Sequence, residues 1–309
     1  MVHRRFLAVS SLWLGGLLLA PPPADACSIC RCSDPTFNAL GTNVYSSGEF
    51  HLALDWDRFS KSQATEEGGT DEETENRFTA TFSYSFGERF LLVARLPFSH
   101  RDLVETNGDE VERTRTFGLS DPEFYGLISL WSSPFGPGLG RRAWVSAVFG
   151  VKTPWGLNDV QKDGERVDEH AQPGTGSTDL FGGFSGFYLF DLDSSIFLST
   201  QYRGTGRNDF GYKYGNIFMV NAAYERKLSE VFDAVFELNF RHSKRDEIDF
   251  SGEVDPNTGG SVLYVTPRVL VNLGKGIVAR VGVQIPAGQW LYGIQDEKVN
   301  YNVGMTFLF

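Results

Sequence analysis

The last thirteen residues, Glu297 to Phe309, alternate in character nearly without interruption. Val299, Tyr301, Val303, Met305, Phe307 and Phe309 fall on one parity. Lys298, Asn300, Asn302, Gly304 and Thr306 fall on the other, with Leu308 as the one lapse. Side chains of a strand repeat every two residues, so this segment has one wholly apolar face and one largely polar face. An apolar face set against lipid, with a polar lumen behind it, is the pattern of an outer-membrane barrel strand.

From Glu49 onward the chain repeats that pattern. Twelve alternating segments are expected at about 49–61, 76–87, 89–104, 113–131, 142–156, 175–190, 195–207, 214–228, 232–248, 261–274, 276–288 and 297–309. Phe78, Ala80, Phe82, Tyr84 and Phe86 alternate with polar residues, and Phe232, Ala234, Phe236, Leu238 and Phe240 alternate with Asp233, Val235, Glu237, Asn239 and Arg241. Short turns at Gly87-Glu88, Asp191 to Ser194, Ser229 to Val231 and Gly274-Lys275 are interleaved with longer polar loops. Those loops are expected near 62–75, 105–112, 157–174, 208–213, 249–260 and 289–296. Short turns on one rim and long loops on the other are a barrel trait, which a soluble β-sandwich has no reason to share. The fold class expected is an all-β, transmembrane antiparallel β-barrel of about 12 strands spanning 49–309.

The first 26 residues read as a signal peptide. Arg4 and Arg5 precede an apolar run from Phe6 to Ala20, then Pro21-Pro22-Pro23 and the small-x-small triplet Ala24-Asp25-Ala26. That run is too short for a spanning helix, and no later one is long enough, so a membrane role falls to strands. Residues 27–48 are expected to form a periplasmic, cysteine-containing segment ahead of the barrel. The net charge of −11 argues against nucleic acid as a partner.

Two stretches carry a resemblance. Gly118-Leu-Ser-Asp-Pro-Glu-Phe-Tyr-Gly-Leu-Ile-Ser-Leu130 resembles a segment of the outer-membrane barrels called the MetA-pathway of phenol degradation family. Lys152-Thr-Pro-Trp-Gly156, a variable loop, and Gly174-Thr-Gly-Ser-Thr-Asp-Leu-Phe-Gly-Gly183 resemble the hairpin that follows it. The resemblance implies a bacterial outer-membrane barrel that transports small solutes, including hydrophobic or aromatic ones. The terminal Phe309 likewise resembles the signal read by the barrel-assembly machinery, which implies that machinery and outer-membrane lipid as partners.

Three groups of residues could carry chemistry. Cys27, Cys30 and Cys32 are the only cysteines and sit together. Their spacing suits a soft metal such as Cu(I), or a local disulfide with one thiol spare or lipidated. Haem attachment would need His where Arg31 stands. On the inward parity, Asp55, Asp57, Arg95, Glu123, Glu225, Glu237, Arg268 and Arg280 are expected to line the lumen, either as a polar path or as pairs that plug it. Acidic runs around Glu66–Glu73 and Asp246–Asp255 lack calcium-loop spacing and read as solvated surface. His51, His100, His170 and His242 are scattered, and no nucleophile elbow occurs, so no enzyme is expected. The function expected is a porin-like channel for small solutes. The alternative is a membrane-anchored copper-binding or redox partner working through the cysteines.

Overall fold

A computed structural model describes residues 48–64, 69–87, 89–107, 110–134 and 141–309. The expected signal peptide and the segment with Cys27, Cys30 and Cys32 lie outside the described residues. The chain enters through β1 (Phe50–Ala64), β2 (Thr70–Phe86) and β3 (Phe90–Asn107). It continues through β4 (Glu110–Leu119), β5 (Glu123–Pro134) and β6 (Arg141–Lys152). A small hairpin, β7 (Gln161–Lys162) and β8 (Glu165–Arg166), and a 3₁₀ turn at Glu169–Ala171 lie in the loop that follows. Next come β9 (Asp179–Asp191), β10 (Ser194–Gly204), β11 (Ile217–Lys227) and β12 (Phe232–Ser243). The chain finishes with β13 (Gly260–Gly274), β14 (Ile277–Leu291), β15 (Gln295–Glu297) and β16 (Asn300–Leu308).

Every sheet pairing is antiparallel between neighbours, and β1 closes the ring by pairing with both β2 and β16. β4 and β5 lie end to end along β3, and β15 and β16 lie end to end along β1. The described residues therefore build twelve staves, as the alternation predicts. Closure leaves no open edge around the ring, which is what a sheet with an apolar exterior requires.

Parity decides which way each side chain faces. On β2, Arg77, Thr79, Thr81, Ser83 and Ser85 are buried inside, while Phe78, Tyr84 and Phe86 are exposed outside. The exterior is apolar and ends, at the rim carrying Phe50 and Phe309, in a band of aromatics. Phe50 packs on Phe309 with ring centroids 5.9 Å apart, Tyr84 on Phe86 at 4.6 Å and Tyr188 on Phe190 at 5.2 Å. Aromatic rings at the edge of an apolar band mark a membrane interface.

The structure moves several boundaries. The segments expected as loops at 62–75 and 105–112 are mostly strand, because β1, β2 and β3 run for 15, 17 and 18 residues. A tilted spanning strand needs only about 9–11. The surplus stands above the membrane, where both faces are polar and the alternation fades. The expected strand at 113–131 is broken at Ser120–Pro122, where Pro122 cannot donate to a ladder. The one expected at 142–156 stops at Lys152, and the one at 232–248 stops at Ser243.

Candidate functional site

The inward faces of the two halves of the barrel differ in character. Towards the rim that carries Phe50 and Phe309, the inward residues of one wall are apolar. Trp144, Phe197, Ala223 and Val235 form a buried cluster with Phe187 and Leu270 packed against it. Trp144 stacks on Phe187 at 6.2 Å and meets Phe197 edge-on at 6.3 Å. Beside it, Leu91, Val93 and Leu127 pack with Tyr125 and Val148.

Midway up the barrel the interior becomes ionic. Seven of the eight lumen charges expected from sequence, Asp55, Asp57, Arg95, Glu123, Glu237, Arg268 and Arg280, are buried inside; Glu225 is half-buried on the same parity. Most are paired. Arg280 clamps Asp55 through Nε at 3.0 Å and through Nη2 at 2.6 Å to each carboxylate oxygen. Arg268 lies 3.0 Å from Glu237. Glu123 accepts from Arg95 at 2.9 Å and from Arg203 at 2.6 Å. Further up, Arg77 donates twice to Glu75 at 2.9 Å, and Arg101 lies 3.3 Å from Glu73. A charge left unpaired at this depth would be costly, which is the physical reason for the pattern.

The loop rim holds the arrangement that the sequence did not assign as a site. Lys152, at the end of β6, has a side chain 1% exposed. Its Nζ donates to Asp121 Oδ2 at 2.9 Å and to Ser177 Oγ at 3.1 Å, lies 3.1 Å from Asp179, and also donates to Thr175 Oγ1. Asp121 in turn holds both legs of the loop 153–178. Its Oδ1 accepts from Gly156 N–H at 2.9 Å, and its Oδ2 accepts from Thr175 N–H at 2.8 Å and Thr175 Oγ1–H at 2.5 Å. Gly118–Leu130, Lys152–Gly156 and Gly174–Gly183 thus meet at one ammonium group.

Glycine is required for this approach. A Cβ on Gly156 would lie 2.6 Å from Asp121 Oδ1, and one on Gly174 would lie 2.7 Å from the Gly156 Cα. Both distances are inside what real Cβ atoms tolerate, so the two legs close on Asp121 only as glycines.

Gripped this way, the loop folds back into the barrel mouth. Ala171, Gln172, Thr175 and Ser177 are buried. Arg101 on β3 donates to the His170 carbonyl at 2.6 Å, and Thr116 on β4 donates to that of Ala171 at 2.5 Å. The loops 205–216 and 244–259 seal the other side. Asn208 Nδ2 donates to Thr175 O at 3.0 Å, Tyr214 OH to Glu169 O at 3.1 Å and Tyr212 OH to Asp246 Oδ2 at 2.7 Å. His170 sits at the junction, with Nδ1 2.9 Å from Asp168 and Nε2 3.2 Å from the Tyr212 hydroxyl. Burial works against the Asp168 charge, but the His170 charge and nearby N–H donors outweigh it and hold that carboxyl well below the usual range. Beneath the loop a small cavity of about 20 Å³ remains, lined by Arg77, Arg95, Arg101, Asp121, Lys152 and Pro173 among others.

No catalytic constellation emerges among the described residues. His242 meets Ser261 on the neighbouring strand rather than Ser243, through Nδ1 at 2.9 Å, and no carboxylate orients its ring. No group of three or more His, Cys, Asp or Glu is placed to hold a metal among the described residues. The cysteine site lies outside them.

No family model and no curated protein matches the chain. Solved structures do. An outer-membrane channel from Pseudomonas putida F1 superposes with a TM-score of 0.66 at 9% identity, covering 86% of this chain and 97% of that one. The translocator domain of the autotransporter NalP from Neisseria meningitidis superposes at 0.50, with 10% identity and coverage of 88% and 91%. These likenesses carry the fold. The protein is a twelve-stranded β-barrel of the bacterial outer membrane, with short turns on the periplasmic rim and the clamped loop on the extracellular one.

Proposed function

We propose that the protein is a porin-like channel for small solutes, held closed in this conformation by the loop 153–178. The observation that carries the reading is the clamp. A segment of 26 residues between β6 and β9 is folded into the mouth over a polar cavity, with both its legs ending on a single carboxylate, that of Asp121. A barrel that served only as an anchor would gain nothing from so many directional contacts at its mouth. The P. putida channel, 97% of which is covered by this fold, supports the same reading.

The interior also bears on the solute. A solute descending from the ionic layer meets Trp144, Phe187 and Phe197 on one side and the hydroxyls of Thr81, Ser83 and Ser85 on the other. Such a path suits a small compound with an apolar or aromatic body and one polar group, in keeping with the phenol-degradation resemblance.

Conductance of the full-length protein in a planar bilayer tests the channel. Discrete openings are expected, and Arg95→Glu and Arg280→Glu should each shift reversal potential towards cations. A barrel that stays silent even after proteolytic nicking of the loop 153–178 would refute the proposal. Unchanged selectivity in both open variants would remove those two residues from the path. Copper or redox work through Cys27, Cys30 and Cys32 remains a separate proposal, to be tested by metal content of the protein and its loss in Cys→Ser variants.

A further inference from the structure

The outside of the barrel is not alike all round. Towards the extracellular end, the wall made by β1, β2, β3 and β4 changes character between two adjacent rows of outward side chains. In the lower row Trp56, Phe78, Phe98 and Leu119 are successive cross-strand partners. In the next row up the partners are Arg58, Asn76, His100 and Phe117. A wholly apolar row followed by a largely polar one marks the level at which acyl chains give way to headgroups.

Three arginines stand at or just above that level. Arg58 donates to Asn76 Oδ1 at 3.3 Å and has no carboxylate within 4 Å among the described residues. Arg115 lies one row higher, opposite Asp102, and Arg113 one row above that, opposite Val104. Both reach the carboxylate of Asp102, Arg113 through Nε at 2.6 Å and through Nη2, Arg115 through Nε alone at 3.3 Å. Two guanidinium groups on one carboxylate leave a positive charge over, and the arginine side chains are 51% and 57% exposed. Glu72, on the row of Arg113 and two staves away, is the other outward carboxylate of these four strands among the described residues. The patch is therefore positive on a chain whose net charge is −11. Across the barrel, the outward groups at the extracellular ends of β5, β9, β10 and β11 are Phe124, Leu180, Tyr202 and Phe218, all exposed and none cationic.

We propose that this patch docks one phosphorylated glycolipid of the outer leaflet. Arg115 and Arg113 take one of its phosphates, and Arg58, with His100 on the same row, takes another. A guanidinium fork grips phosphate oxygens in pairs, and Arg115 has both terminal nitrogens to spend on them. Arg58 and Arg115 are three strand spacings apart, about 14 Å, and their long side chains can close on the two ends of a disaccharide that carries a phosphate at each. The acyl chains of the same molecule lie over Trp56, Phe78 and Phe98 in the row below. A free phosphate would use only the arginines, whereas a glycolipid meets both rows. The inference rests on the barrel's place in the membrane and not on its conducting.

The test is native mass spectrometry of the full-length protein in detergent, titrated with lipid A, dephosphorylated lipid A or phosphatidylglycerol. One lipid A per barrel is expected, bound about tenfold or more tighter than either of the others, since each phosphate contact is charge-assisted. The double variant Arg58→Ala, Arg115→Ala should lose that margin, and lysine at both positions should recover part of it. Equal binding of the dephosphorylated form would overturn the phosphate contacts, and equal binding of phosphatidylglycerol would overturn the glycolipid. Displacement of lipid A by an equal concentration of inorganic phosphate would make this a free-anion site. A double variant that binds as the wild type does would overturn the assignment to these arginines. The wild-type comparison decides the lipid even if a variant fails to refold. Bilayer recordings stay separate, since a silent barrel that holds lipid A would refute only the channel.

Discussion

The extracellular and periplasmic halves of the lumen are organised by opposite kinds of interaction. The extracellular half is held by directional bonds that converge on few atoms: Asp121 alone accepts from Lys152, Gly156 and Thr175. One wall of the periplasmic half is packed with the apolar side chains around Trp144, Phe197 and Val235, none of which depends on a single partner. A bonded closure releases all at once when its central acceptor goes, whereas a packed one loosens by degrees. Only the first makes a good door.

Asp121→Ala should therefore have the largest effect. It frees both loop legs and leaves the buried Lys152 with Asp179 as its remaining carboxylate. Breaking a buried ion pair from one side costs about 3–5 kcal/mol. Urea unfolding in detergent should show that loss, and the loop 153–178 should become open to protease while the strands stay protected. A stable variant with a protected loop would deny Asp121 its central place.

Trp144→Ala probes the other half. Truncating a buried tryptophan costs about 3 kcal/mol at the low end of the usual range, the low end being apt where water can enter the space left behind. The loop should stay as resistant to protease as in the wild type. If Trp144→Ala loosened the loop as much as Asp121→Ala, the two halves would be one cooperative unit and the contrast would fail.

The same contrast explains what the sequence could show. Lipid on one side and the lumen on the other impose a period of two, so residues such as Phe78 and Arg77, or Phe236 and Glu237, can be sorted by parity alone. That is why the twelve staves and the inward positions of Asp55, Arg95 and Arg280 were legible. Where the chain leaves the bilayer the period no longer reports an environment, and the upper parts of β1, β2 and β3 passed for loops. The clamp was hidden for a different reason. Asp121, Lys152 and Asp179 lie at strand ends in Gly- and Pro-rich stretches, 31 and 27 residues apart, where parity breaks down. The resemblance marked all three stretches without saying that they meet. Only the fold brings them to one ammonium group.

The smallest effect expected is that of acid on the clamped half. Asp168 anchors the turn bearing His170, and its carboxyl is held below the usual range. A carboxyl lowered in this way stabilises the fold at pH above its unfolded value and loses that contribution as pH falls through the lowered one. Its side chain is 57% exposed, so solvent screening keeps the contribution small. Amide hydrogen exchange at Gly174 and Thr175, corrected for intrinsic rates, should thus quicken in strong acid, below the ordinary aspartate range. Asp168→Asn should remove the acid limb and leave the neutral plateau slightly lower. Loosening that begins near neutrality would assign the latch to another group and break the link between Asp168 and the closed mouth.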